Sequence, residues 1–174
     1  MRWALALVLV LGCAEEPVAP LAPPVVQEAA PAEDGVRLGV PAETIHRARL
    51  EARGLDRMSE SLRAQALEAG RARDAPSYAE LRAGADAHRD VRVSFEGRVG
   101  LVRPAGPGLS IVALSIRRDG ARWRDPLYVL SVVPTDVPEG AIARFDGWVV
   151  GERTIGRHAL PLVVAFHVER APAS

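Results

Sequence analysis

The chain has no lysine, no asparagine and a single cysteine, Cys13, in 174 residues. One thiol excludes an internal disulfide. Without lysine, all 22 basic residues are arginine. Coding bias in a GC-rich genome accounts for that, so the arginines are not marked as chosen for guanidinium chemistry. Net charge is missing as well: 22 basic against 22 acidic residues leave a formal charge of zero, with no global field to favour nucleic acid or an anionic membrane. The opening apolar run, Trp3 to Leu11, falls short of the roughly 20 residues that cross a bilayer.

The usual signatures of chemistry are missing too. No serine sits in a glycine-flanked elbow beside a base and an orienting acid. Gly106-Pro107-Gly108 lacks the lysine and the following helix of a phosphate-binding loop. His46, His88, His158 and His167 are scattered, none at metal-ligand spacing with another histidine or a carboxylate pair. The expectation is a non-enzymatic protein with no cofactor and no metal.

What is present begins at the N-terminus. Met1-Arg2 carries a positive charge, nine apolar residues follow, and the run closes on Val10-Leu11-Gly12-Cys13. A basic start and a short apolar core are the layout of an export signal. The closing tetrapeptide resembles the lipobox of bacterial lipoproteins, with Leu11 a mild departure at its second place. The resemblance implies cleavage after Gly12, a diacylglycerol on the Cys13 thiol, and acylation of the new amine by a fatty acid such as palmitate. Two or more chains make such an anchor stable where one is marginal. Ala14 in place of Asp after the cysteine implies, by the sorting pattern of enteric lipoproteins, an outer-membrane anchor facing the periplasm. An ordinary signal peptide with an incidental cysteine is the plainer reading.

Four regions follow: a signal peptide over 1–12, a lipid anchor and tether over 13–40, a helical segment over 41–74, and a β-barrel domain over 75–171. The tether holds Pro17, Pro20, Pro23, Pro24 and Pro31 among Ala, Val and Glu. Repeated proline blocks helix, and a segment of this composition buries too little apolar surface to order itself. Fully polyproline-like, it would reach roughly 80 Å at about 3.1 Å per residue. Between Pro41 and Gly70 the apolar residues Ile45, Ala48, Ala52, Leu55, Leu62, Ala66 and Ala69 recur at helical steps. Gly54 suggests a break into two helices. This narrow, alanine-rich stripe either packs on the chain's own barrel or meets a partner or a second copy.

Ser77 and Glu80 have capping-box spacing, which predicts a short helix through about Ala83. From Val91 the period becomes two. Val91, Val93, Phe95, Gly97, Val99 and Leu101 share one face, and Arg92, Ser94, Glu96 and Arg98 the other. Further strands are expected over Leu109–Ile116, Leu127–Val133, Ala141–Gly151 and Leu162–Glu169. The third is apolar enough for burial on both faces. In the fifth, Val164, Phe166 and Val168 are expected to face inward and His167 outward. Phe95-Glu96-Gly97-Arg98-Val99 is echoed by Phe145-Asp146-Gly147-Trp148-Val149, each with a mid-strand glycine that commonly marks a bulge or bend. Trp148 is either exposed or caps a second small core against the helix.

Residues 75–171 resemble bacterial OB-fold domains of the anticodon-binding-like kind. The resemblance rests on the lead-in helix, on Ser77 to Val99, Tyr128-Val129 and Gly147 to Gly151, and on the last strand after Pro161. It implies a mainly β fold: a small five-stranded OB-like barrel preceded by helix. The helix such domains carry between the third and fourth strands has no counterpart here, since Pro134–Gly140 is too short, so an SH3-like or other small barrel stays open. OB folds bind polymers on one strand face and its loops. The candidate ligand-binding residues are Arg117, Arg118, Arg122, Trp123 and Arg124 at a hairpin tip turned by Asp119-Gly120. They suit phosphate, lipopolysaccharide, glycan or an acidic protein face, and read blandly they form a solvated loop. The expectation is a membrane-anchored envelope lipoprotein whose barrel binds a protein or envelope polymer, with nucleic acid not an expected partner. The alternative is an assembly subunit acting through helical segment 41–70.

Overall fold

A computed structural model describes residues 38–71, 75–155 and 157–171. The expected signal peptide, Cys13 and most of the tether lie outside these residues. Three helices precede five strands. Helix α1 spans Ala42–Asp56 and starts behind Pro41, whose carbonyl accepts from the Thr44 and Ile45 amides. Helix α2 spans Glu60–Gly70 behind Ser59. Helix α3 spans Tyr78–Gly84 and has the expected capping box: the Ser77 hydroxyl accepts from the Glu80 amide, and the Glu80 carboxylate accepts from the Ser77 amide. A 3-10 turn, Ala85–His88, leads into the sheet.

The strands are β1 (Arg92–Gly106), β2 (Leu109–Asp119), β3 (Arg122–Ser131), β4 (Ile142–Ile155) and β5 (His158–Arg170). They close into a barrel in the order β1-β2-β3-β5-β4, antiparallel except for the β3–β5 pair. The protein is therefore mainly β, with a five-stranded OB-like barrel. No helix lies between β3 and β4. Val137 of that connection and Leu81 of α3 instead join the core that fills the barrel.

Each strand runs longer than the apolar pattern alone suggested. Pro104 lies within β1, opposite Ser110, rather than in the connection to β2. The reason is positional. β1 pairs with β4 only from Arg92 to Arg98, so at Pro104 one edge is open and no ladder donor is missed. Pro126 precedes the start of β3–β5 pairing at Tyr128, and Pro161 precedes it at Leu162. All three strand prolines sit where their strand has one neighbour.

The barrel interior holds Val93, Val99, Val112, Leu114, Leu127, Val129, Phe145, Val149 and Val163. A second core lies outside it, where Leu130, Val150, Leu162, Val164 and Phe166 meet Ile45, Ala48, Ala52 and Leu55 of α1 and Leu67 of α2. From Leu127 to Ser131, β3 is buried on both faces, as its apolar run implied. Because the α1 stripe is half alanine, the large side chains come from the barrel; Ala48, fully buried, lets the helix sit close. The stripe is thus used within the chain.

Trp148 belongs to this second core. Its indole Nε1 donates to Glu51 at 2.8 Å, the Arg47 guanidinium lies 4.3 Å over its ring, and Phe166 packs 6.2 Å away. Arg92 covers Phe166 at 4.8 Å and pairs with Glu51 at 3.3 Å.

Three expectations are corrected. The helical break falls at Arg57–Ser59, not at Gly54. It resets the helical phase, so Leu67 turns inward while Leu62 and Ala69 face solvent. In β1, a register shift between Val99 and Leu101 puts Val102 against the barrel core in place of Leu101. In β5, a shift opposite Asp146/Gly147 leaves Val163, Ala165 and Val168 with the barrel core and sends Val164 and Phe166 outward under the helices.

Candidate functional site

The β2–β3 hairpin is longer than the barrel needs. Pairing of β2 with β1 stops at Ser115, and pairing of β3 with β5 starts at Tyr128. From Ile116 to Leu127 the two strands have only each other as ladder partners, with facing pairs Arg117/Arg124, Arg118/Trp123 and Asp119/Arg122. This is a two-stranded arm projecting from the barrel. Its tip turns at Gly120, which has a positive φ of 59°, the conformation a tight hairpin turn demands.

All five expected ligand-binding residues lie on this arm. Facing guanidiniums repel, and here each is neutralised by an acid. Arg117 Nε pairs with Asp125 at 2.6 Å, and Arg124 Nε pairs with Asp119 at 3.0 Å. Arg118 donates to the Gly120 carbonyl at 3.1 Å. Arg122 is exposed and has no ion pair among the described residues. Trp123 is half-buried and belongs to neither core. Exposed ion pairs such as Arg124–Asp119 contribute only about 0–1 kcal/mol, so releasing that guanidinium costs little. Planar guanidiniums bind phosphate or carboxylate in a bidentate manner.

A second polar cluster was not visible in the sequence. Ser94 on β1, Asp146 on β4 and His167 on β5 stand side by side on the outer face. Asp146 is 1% exposed. His167 Nδ1 donates to its Oδ2 at 3.1 Å, while Arg71, just past α2, brings Nε to 3.6 Å from Oδ1. That distance is too long for a hydrogen bond, and both atoms lack another partner. Burial pushes the Asp146 carboxyl up. The His167 hydrogen bond, the neighbouring Ser94 hydroxyl and the Arg71 charge outweigh it and hold the carboxyl below the usual range.

A cavity of about 350 Å³ beside the cluster is lined by Arg71, Arg92, Ser94, Glu96 and Arg144 among others. Its guanidiniums are taken: Arg71 pairs with Glu68, Arg92 with Glu51 and Arg144 with Glu96. An acid holding an imidazole supplies two members of a catalytic triad, but Ser94 stands opposite the acid, and no hydrogen bond joins it to His167. The cluster therefore ties three strands to the end of α2. Alternation could have placed Asp146 and His167 on one face; only the β4–β5 register makes them neighbours. His46 and His158 are exposed and stand apart. Among the described residues no group of three His, Cys, Asp or Glu is disposed to hold a metal ion.

Strand order, parallel β3–β5 pairing and filled interior define the class: a five-stranded OB-like barrel. No protein-family model matches the chain, and no curated protein matches it.

Proposed function

We propose that this protein is a lipid-anchored envelope protein whose OB-like barrel, of the anticodon-binding-like kind, binds a protein or envelope polymer without chemistry. The observation that carries the reading is the β2–β3 arm. The barrel interior is filled with side chains, so a ligand is met outside it, and the arm presents four arginines and Trp123. The lipobox-like Val10-Leu11-Gly12-Cys13 and the proline-rich stretch after it supply the second support, since an anchor and a tether hold a module near a membrane. The outer membrane, facing the periplasm, is the proposed site.

The test is photo-cross-linking in living cells from a reactive residue placed at Ala121. A discrete protein or an envelope glycan should be captured. Changing Arg117, Arg118, Arg122 and Arg124 to Gln should abolish capture while stability falls by no more than about 2 kcal/mol, the two surface ion pairs contributing about 0–1 kcal/mol each. Capture that survives the fourfold change would remove the arm from the reading.

A further inference from the structure

The exposed large apolar side chains of the described residues are Leu50, Met58 and Leu62, at 53%, 39% and 55% exposure. All three lie on α1, α2 or the corner between them. Leu50 and Gly54 stand one turn apart on α1, and Met58 lies in the corner that follows the helix. They line a groove of about 410 Å³ with Leu55 and Ala66. Leu62 stands one turn before Ala66 on the same side of α2. Beside these residues run Arg53 and Arg57, both exposed and neither in an ion pair among the described residues, with the exposed acids Asp56 and Glu60 in the same stretch.

We propose that this corner is a membrane contact: Leu50, Met58 and Leu62 enter the interface of an anionic bilayer while Arg53 and Arg57 meet its headgroups. Apolar residues bordered by arginine on a helix surface are the pattern of segments that lie in the interfacial plane. The arginines match an anionic surface, not a zwitterionic one. The whole chain carries no net charge, so the attraction is local and fades within a Debye length of about 8 Å. Nearness is supplied by the anchor. α1 is the first helix described after the proline-rich stretch, and an intramolecular second contact gains from high effective concentration. The proposal rests on the lipid-anchor reading for the bilayer's proximity, but not for the contact itself.

The test uses the chain from residue 13 with Cys13→Ser, which carries no lipid, sedimented with vesicles of phosphatidylethanolamine plus phosphatidylglycerol and, separately, of phosphatidylcholine. Partition onto the anionic vesicles is expected, weaker at high salt. Leu50→Ser with Leu62→Ser should lower it about tenfold or more, and Arg53→Gln with Arg57→Gln should remove the salt dependence. All four positions are solvent-facing, so the fold should persist, which circular dichroism checks. Three outcomes overturn the proposal: no partition, equal partition of the double variants, or a dimer in sedimentation velocity that the Leu50→Ser, Leu62→Ser change dissociates. Processing of Cys13→Ser in cells reports separately on the anchor: if its gel mobility and its fractionation both match the parent chain's, the lipid-anchor reading fails whatever the vesicles show.

Discussion

Asp146 is the residue on which the outer polar face turns. It is 1% exposed, and its charge is held by His167, Ser94 and Arg71. Removing one member of a buried ion pair costs about 3–5 kcal/mol. Arg71 and His167 are 28% and 17% exposed, so water repairs part of the loss, and Asp146→Asn is expected to cost about 2 kcal/mol near pH 7. The carboxyl is depressed in the folded state, so its contribution is complete above the unfolded value near 4 and is lost as pH falls through the lower folded value. Urea midpoints from pH 7 to pH 3 should therefore converge between the two proteins at the acid end. Equal midpoints at pH 7 would mean that the network contributes nothing.

Two glycines make a matched pair at the same scale. A Cβ on Gly147 would stand 2.4 Å from the Val164 carbonyl oxygen, whereas one on Gly54 would meet nothing within 4 Å. Gly147→Ala should destabilise by about 2–3 kcal/mol through overpacking. Gly54→Ala, in the interior of α1, should stabilise by about 0.5–1 kcal/mol. Thermal melts of both read opposite signs; a neutral Gly147→Ala would mean that β4 and β5 can separate without penalty.

Among the elements, α1 is the one whose docking can be loosened by itself. It leans on the outer face of β5 and β4, and Trp148 is its central hold, through packing, the Glu51 hydrogen bond and the Arg47 stack. Trp148→Ala should cost about 3–5 kcal/mol. Local opening follows the weakest contacts, so α1 amides should exchange much faster than those of β2 and β3. Uniform acceleration throughout would show that helix and barrel open only together. The β2–β3 arm makes the opposite case. Its ladder bonds join only its own two strands, so it leaves most of its side chains to solvent while contributing little to the barrel.

At the scale of the whole molecule, two surfaces serve one proposed arrangement. In that proposal the α1–α2 corner would meet a bilayer and the arm a protein or polymer. Cys13→Ser should give either an unprocessed product, seen as slower gel migration, or a soluble one, seen as loss from the membrane fraction; unchanged mobility and fractionation would end the lipoprotein reading.

Much of this protein is legible in short stretches of sequence because the causes are local. Proline at the start of α1, the Ser77–Glu80 capping box, period-two alternation from Val91 to Val99 and the Asp119-Gly120 turn each act within a few residues. They determined the elements, the mainly β class and the exposed arginine-rich tip. The arm's length was not legible, since it depends on where β1 and β5 stop pairing. Tertiary structure alone decided which face Val164, Phe166 and Leu101 take, because alternation breaks at bulges set by a facing strand. The close approach of Gly147 to Val164 is such a case. It also decided the phase of α2, and it brought Asp146 to His167, residues on different strands that meet only in one register. Local chemistry specifies an element and its ends; contacts between residues distant in sequence specify which side chains become neighbours, and the polar cluster on the outer face consists entirely of such contacts.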